Sequence, residues 1–327
     1  MYHFQRKKRN NERKIEEREN VQIMEKLVVF TVTSQIGERI DKVITTYCEE
    51  YSRSFVQKLV KDGRVMVNNK IVKSNYKVEE RDSISFLIPE PVELDILPEK
   101  IDLDILYEDD DIIVINKGKD MVVHPAAGHY SGTIVNGLLY HCKGQLSGIN
   151  GIMRPGIVHR IDKNTTGAIV ACKNDKAHRF IAEQLKEHSI TRKYRAIVWN
   201  PFKVPTGTID APIGRHPTDR KKMAINERNG KHAITHYRLL DNLSGKFAYI
   251  ECQLETGRTH QIRVHMASVH HPLLGDDVYG SNKNTYKLEG QALHAMVLGF
   301  IHPTTKEYVE FEAPLPPYFI ELIKRLQ

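Results

Sequence analysis

The stretch Gly156-Ile-Val-His-Arg-Ile-Asp-Lys-Asn-Thr-Thr-Gly-Ala-Ile-Val170 places Asp162 two residues after Arg160, where an apolar run gives way to a polar turn and resumes as Ala168-Ile-Val-Ala171. A carboxylate at such a break is lifted out of a sheet yet held by rigid flanks. That placement suits a nucleophile or general base. The same pattern also fits a turn aspartate bonded to its own backbone, so the surroundings must decide. Along an extended strand, residues 160 and 162 would point to one side, giving the carboxylate a cationic neighbour. No phosphate loop or dinucleotide fingerprint accompanies it. His265, His270, His271, His294 and His302 lack the spacing of a divalent-metal site, so the expected chemistry uses no metal and no cofactor.

The elements that must hold this group follow from periodicity. Asp111 to Lys117 and Thr191 to Trp199 read as buried strands, and Phe247 to Glu255 alternates with Ala248, Ile250, Cys252 and Leu254 on one face. Asp175 to His188 reads as a helix, Tyr308 to Ala313 as a strand, and a final helix begins near Pro317. Strands without regular strand–helix alternation predict an α+β fold on a mostly antiparallel sheet.

Ahead of that region the residues form a smaller unit. Arg39 to Ile44 and Ser52 to Lys61 are helical patterns, Gly63 stops the second, and Val65 to Val72 is a hairpin turning at Asn68-Asn69. The boundaries expected are a flexible charged extension over 1–30, a compact module over 31–88, an acidic proline-containing spacer over 89–104, and a large domain over 105–327. Within the extension, Arg6-Lys-Lys-Arg9 is offset by Glu12, Glu16, Glu17 and Glu19.

Composition narrows the partners. The 327 residues carry 48 Lys and Arg against 41 Asp and Glu, a net charge of +7 that favours a polyanion. Residues 90–111 hold ten acidic side chains and a single Lys100, so the remainder is more basic still. Arg53, Lys58, Lys61, Arg64 and Lys70 crowd one short helix and its flank, opposed by Asp62, a face able to grip phosphates without reading sequence. The cysteines at 48, 142, 172 and 252 are scattered, which fits reduced thiols. No secretory signal is evident, and the longest uncharged stretch, Met121 to Cys142, is interrupted by Pro125, histidines and glycines; a cytoplasmic protein without a membrane span is expected.

Several of these segments together resemble the RluA/RluD-type RNA pseudouridine synthases. The likeness runs through Tyr107 to Lys117, Met121-Val-Val-His-Pro125, the Asp162 run, Lys193-Tyr194, Glu255-Thr-Gly-Arg-Thr-His-Gln-Ile-Arg-Val-His265, His271-Pro272, Gly275-Asp276 and Gln291 to Ala295. Departures are mild: Gly118-Lys-Asp replaces the usual Pro-Ala-Gly, and Asn164-Thr-Thr-Gly the usual Asp-Thr-Ser-Gly. Ser52-Arg53 with Gly63-Arg-Val-Met-Val-Asn68 resembles the signature of an S4 RNA-binding domain.

The resemblance implies the pseudouridine synthase fold, a curved mixed sheet with flanking helices, joined to a small S4-like module. It implies conversion of uridine in RNA to its C-glycoside isomer, in which N1–C1′ breaks, the uracil turns, and C5 joins C1′. It also implies Asp162 as catalytic carboxylate, Arg263 as its partner, Arg160 at the backbone of an extruded nucleotide, and Tyr194 against the uracil. Extrusion costs a few kcal/mol of unstacking that such contacts must offset. His159, Arg258, His260 and Gln261 are the further candidates for RNA contact. Large-subunit ribosomal RNA, free or in pre-ribosomal particles, is the expected substrate of a monomeric enzyme. Transfer RNA is the runner-up, and a noncatalytic assembly factor on the same fold a third reading.

Overall fold

A computed structural model describes residues 25–48, 51, 53–89, 96–125, 129–151, 154–219, 222–280 and 286–327. The chain divides into two compact units, Met1–Glu93 and Leu94–Gln327. Among the described residues no helix is long and apolar enough to cross a membrane.

The smaller unit contains β1 (Glu25–Thr31), α1 (Ile40–Tyr47), α2 (Arg53–Lys61), β2 (Val65–Val67), β3 (Lys70–Ile71) and β4 (Ser83–Pro89). Its strands form an antiparallel sheet in the order β1-β4-β2-β3. Ile40, Val43 and Ile44, at helical spacing on α1, join Val56, Leu59, Val60 and Phe86 in the core. The β2–β3 turn has positive φ at Asn68 (49°) and Asn69 (62°), which asparagine tolerates and a tight hairpin needs. Residues 25–30, expected within a flexible extension, instead pair along β4; the apolar run Leu27-Val-Val-Phe30 is strand-forming despite its charged surroundings. The Arg6–Arg9 cluster lies outside the described residues.

The larger unit contains β5 (Ile105–Glu108), β6 (Ile112–Lys117), α3 (Ile134–His141), β7 (Thr166–Cys172), α4 (Asp175–Lys186), β8 (Thr191–Trp199), β9 (Thr206–Asp210), β10 (Ile213–Arg215), β11 (Met223–Ile225), β12 (Ile234–Leu243), β13 (Phe247–Leu254), α5 (Gln261–Ser268), β14 (Leu293–Ile301), β15 (Tyr308–Glu312) and α6 (Pro317–Leu326). Nine strands make one sheet in the order β5-β6-β7-β14-β8-β13-β12-β9, with β15 also on β14. Every pairing is antiparallel except β7 with β14, so the expected mostly antiparallel mixed sheet is present.

The parallel junction lies where the sheet receives the Asp162 segment. β7 touches only the start of β14, at Thr166 and Gly167, and β15 takes over the same edge from Val297. Gly167 makes this approach possible: its φ is 111°, and a Cβ there would stand 2.2 Å from the Ala295 carbonyl oxygen.

Two expectations about backbone change. The 89–104 spacer is bound from residue 96 onward, because Ile96 and Leu103 pack into the larger unit's core and Asn136 bonds Leu97 O and Glu99 N. Acidic content hid that apolar alternation. The Asp162 segment is not a strand before its turn. Ile157 alone bridges to Ala171, and 158–165 is irregular.

Candidate active site

The irregular segment is tied down at several points, which is why it can present a charged side chain reproducibly. Thr165 N–H donates to Asp162 O at 3.0 Å, closing a turn. Gln291 Nε2 donates to Thr165 Oγ1 at 2.9 Å. From beneath, Lys117 Nζ donates to the carbonyls of Gly118, Met121 and Lys163 at 2.8–2.9 Å. Burial pushes the Lys117 amine down to about 7, against the pull of Asp162 and Asp120. Three carbonyl acceptors match the three protons of an ammonium, so the charged form ties the 117–121 turn to the Asp162 segment.

Asp162 meets Arg263 from the short, almost wholly buried α5. Arg263 Nη1 donates to Asp162 Oδ2 at 3.0 Å. Its Nε and Nη2 donate to Asp276 Oδ2 and Oδ1 at 2.7 and 2.9 Å. Asp276 Oδ1 also accepts from the backbone N–H groups of Val278 and Tyr279. Burial alone would raise the Asp276 carboxyl, but the Arg263 guanidinium more than offsets it and holds the group below the usual range. Arg263 itself, 5% exposed, is disfavoured by burial yet raised further by the two carboxylates. The guanidinium is therefore a fixed cation with its orientation set by Asp276 and one arm left for Asp162.

His260 stands on the other side of the carboxylate, its Nε2 3.8 Å from Asp162 Oδ1. It occupies the left-handed region at the start of α5, with φ 56°. Its Nδ1 and the Tyr279 hydroxyl are hydrogen-bonded at 2.8 Å, and that hydroxyl accepts from Met223 N–H. Burial pushes the imidazole down by more than Asp162 raises it, leaving a neutral ring at neutral pH. Tyr279 thus stitches the β10–β11 hairpin to the active cleft.

A cleft opens above these groups, lined by Arg160, Ile161, Asp162, Tyr194, Leu254, Arg258, His260 and Leu293 among others. Tyr194 projects from β8 with its ring 9% exposed. Its hydroxyl makes no hydrogen bond among the described residues, and burial raises its pKa above the usual range, so it is a protonated phenol facing open space. Ile161, Leu254 and Leu293 beside the Tyr194 hydroxyl and the Asp162 carboxylate suit a flat polar ring attached to a sugar.

The sequence candidates separate into groups. Asp162, Arg160, Tyr194, Arg263, Arg258 and His260 are brought to this one cleft. His159 is not: its Nε2 accepts from Val170 N–H at 3.1 Å, filling a ladder position, and burial, reinforced by Arg192, pushes it down to about 3. Gln261 borders the cleft but is used up internally. Its Oε1 accepts from the Thr256 hydroxyl and from Arg258 N–H, and its Nε2 donates to Ile234 O and Thr235 Oγ1. All four of its bonding positions are filled, which removes it as an RNA contact.

In the smaller unit, Lys58 and Lys61 are exposed on α2. Arg53 is bound instead to the fully buried Asp41 at 3.1 Å, alongside Arg39 and Gln57, so it braces the α1–α2 pair. Arg64 is half-buried at the entrance to β2. Sequence reasoning missed Asp276 as the anchor of Arg263, and Tyr279 as the partner of His260. Gly275-Asp276 was visible as a motif, but its contact across 13 residues with a helix was not.

Comparison with known proteins agrees with both units. The family described as RNA pseudouridylate synthase matches residues 111–268, and the S4 domain family matches residues 38–84. The chain is 53% identical to the uncharacterized RNA pseudouridine synthase YlyB of Bacillus subtilis (strain 168), over 93% of this chain and 99% of that protein. It is 45% identical to ribosomal large subunit pseudouridine synthase D of Zymomonas mobilis, over 90% and 96%. Among solved structures, the human RNA pseudouridylate synthase domain containing 1 is similar, with TM-score 0.54 and 28% identity over 69% of this chain and 86% of that one.

Proposed function

The chain belongs to the RNA pseudouridylate synthase family and is an RNA pseudouridine synthase with an S4 domain, and from that premise we propose that it acts on large-subunit ribosomal RNA with Asp162 as its catalytic carboxylate. The observation that carries the catalytic assignment is the asymmetry at Asp162. Oδ2 is engaged by Arg263, while Oδ1 makes no hydrogen bond among the described residues and lines the cleft.

A guanidinium that engages one oxygen leaves the other free to react. Attack on C1′ and removal of a sugar proton both need an unpartnered carboxylate oxygen, and Oδ1 has no hydrogen-bond partner among the described residues. The isomerisation is balanced within the substrate: N1–C1′ breaks, C5–C1′ forms, C5 loses a proton and N1 gains one. The Tyr194 phenol is placed to pass a proton at the uracil, and its ring to pack against the base as it turns. Arg160 and Arg258 at the cleft rim would hold the backbone of an extruded nucleotide.

The choice of RNA rests on relatives. Proteins named as ribosomal large subunit pseudouridine synthase D are 41–45% identical to this chain over about nine-tenths of its length. Mapping pseudouridine in ribosomal and transfer RNA from cells with and without the protein tests this. Loss of one or a few large-subunit sites is the expected outcome; loss confined to transfer RNA would contradict it.

A further inference from the structure

We infer that Arg192 is the centre of a phosphate-binding subsite for the RNA backbone beside the uridine cleft, completed by Arg258. The inference rests on the RNA substrate proposed above and adds a residue that the sequence did not single out.

Arg192 and Tyr194 lie two apart on β8, so both side chains leave the same face of the sheet. Arg192 is 7% exposed. Its one hydrogen bond among the described residues runs from Nη2 to Glu255 O at 2.8 Å, and its Nε is buried without a partner. No carboxylate lies within ion-pair distance of it among those residues. Arg263 shows how this fold treats a guanidinium of equal burial that belongs to the protein alone, surrounding it with two carboxylates. Burial pushes the Arg192 guanidinium down, against the pull of the Tyr194 phenol, and the cation Arg258 adds to the lowering. A guanidinium does not shed its proton near neutral pH, so a desolvated positive charge remains, lacking an anion.

The backbone around it leaves room for the guanidinium itself. Gly257 has an ordinary φ, yet a Cβ there would stand 2.5 Å from Arg192 Nη1. Any side chain would fill the space in which Nη1 now lies unbonded. Arg258, next along, spends its Nε on His232 O, and its terminal nitrogens have no partner among the described residues. Arg258 also lines the cleft that contains Tyr194 and Asp162. Two forked donors without counterions, one buried and one at the rim, match the acceptor-only oxygens of a phosphodiester. The buried charge would be neutralised when the RNA arrives, which places the phosphate next to the nucleotide being turned.

The test compares the full-length wild type with Arg192→Met, Arg192→Lys and Gly257→Ala. Activity is followed on deproteinised large-subunit ribosomal RNA at several salt concentrations, and thermal unfolding with and without inorganic phosphate at matched ionic strength. Arg192→Met is expected to raise KM about tenfold or more, with a smaller change in kcat, and to flatten the log–log salt dependence by about 0.7–1, the loss of one phosphate contact. Phosphate is expected to raise the melting temperature of the wild type but not of Arg192→Met. Arg192→Lys should recover most of the salt slope but not the affinity, and Gly257→Ala should raise KM with the charge retained. A lower melting temperature for Arg192→Met with KM and salt slope unchanged would make Arg192 a structural brace for the Glu255 carbonyl and overturn the subsite. Equal stabilisation of both proteins by phosphate would do the same. If the wild type leaves ribosomal RNA unmodified, the substrate reading fails, while the phosphate titration still decides the subsite.

Discussion

Arg263 gives Asp162 one N–H, to Oδ2 at 3.0 Å, and Oδ1 has no hydrogen bond among the described residues. Its other two contacts go to Asp276, which is fully buried and is itself held by two backbone N–H groups. Asp162 is thus paired with a cation whose direction is fixed by a different residue. Loss of the cation and loss of its anchor should differ accordingly.

Arg263→Met would leave Asp276 as an uncompensated buried charge. Breaking such a pair costs about 3–5 kcal/mol, so a fall in melting temperature and little soluble activity are expected. Arg263→Lys keeps the charge but cannot fork between two carboxylates, and should fold with kcat reduced about tenfold to a hundredfold. Thermal unfolding and single-turnover assays on the two variants check this.

Tyr194→Phe removes a hydroxyl that makes no hydrogen bond among the described residues. Its stability should stay within a few tenths of a kcal/mol of wild type, while kcat should fall about a hundredfold or more if the phenol carries a proton. A variant with unchanged kcat would reduce Tyr194 to a packing surface.

Lys117 sets an alkaline limit. As pH rises through and beyond about 7, its amine can lose the proton that burial disfavours. A neutral amine donates to at most two of the three carbonyls, so the Asp162 segment loses one tether. The kcat of the wild type should therefore decline on the alkaline side, whereas Lys117→Met should be uniformly slow without that limb. A pH profile from 6 to 9.5, limits of about the range proteins of this kind tolerate, distinguishes the two.

The smaller unit has an acid limit from Asp41. Burial would raise this carboxyl, but hydrogen bonds from Gln57, Arg53 and Arg39 bring it down to about 2. A folded pKa below the unfolded value adds stability above the ordinary carboxylate range, here about 2 kcal/mol, which is lost as pH falls through about 2. Amide exchange in α1 and α2 should accelerate across that interval, and Asp41→Asn should show the faster exchange already at neutral pH.

Much of this architecture was legible in the residues. β8, the last helix and the Asn68-Asn69 hairpin follow from alternation, helical spacing and turn chemistry, all local signals. The Asp162 segment did not, because its bonds run to Ser147, Lys117 and Val170, and an imidazole takes one strand position. The pairing of Arg263 with Asp162 spans 101 residues and came only through resemblance. Gln261 and Arg53 are engaged by the protein itself, and the sequence could not show it: a polar side chain in a motif reads alike whether it faces ligand or protein. Arg192 was overlooked because a basic residue in a strand gives no sign of whether a carboxylate awaits it.

The central claim is that Asp162 is the reacting carboxylate, and Asp162→Asn tests it with least disturbance to shape. Asp276 still anchors Arg263 in that variant, so folding and RNA affinity should persist. Purified Asp162→Asn, incubated with large-subunit ribosomal RNA from cells lacking the protein, should bind that RNA as the wild type does and form pseudouridine at least about a thousandfold more slowly. Pseudouridine formation at the wild-type rate by the folded variant would contradict the account.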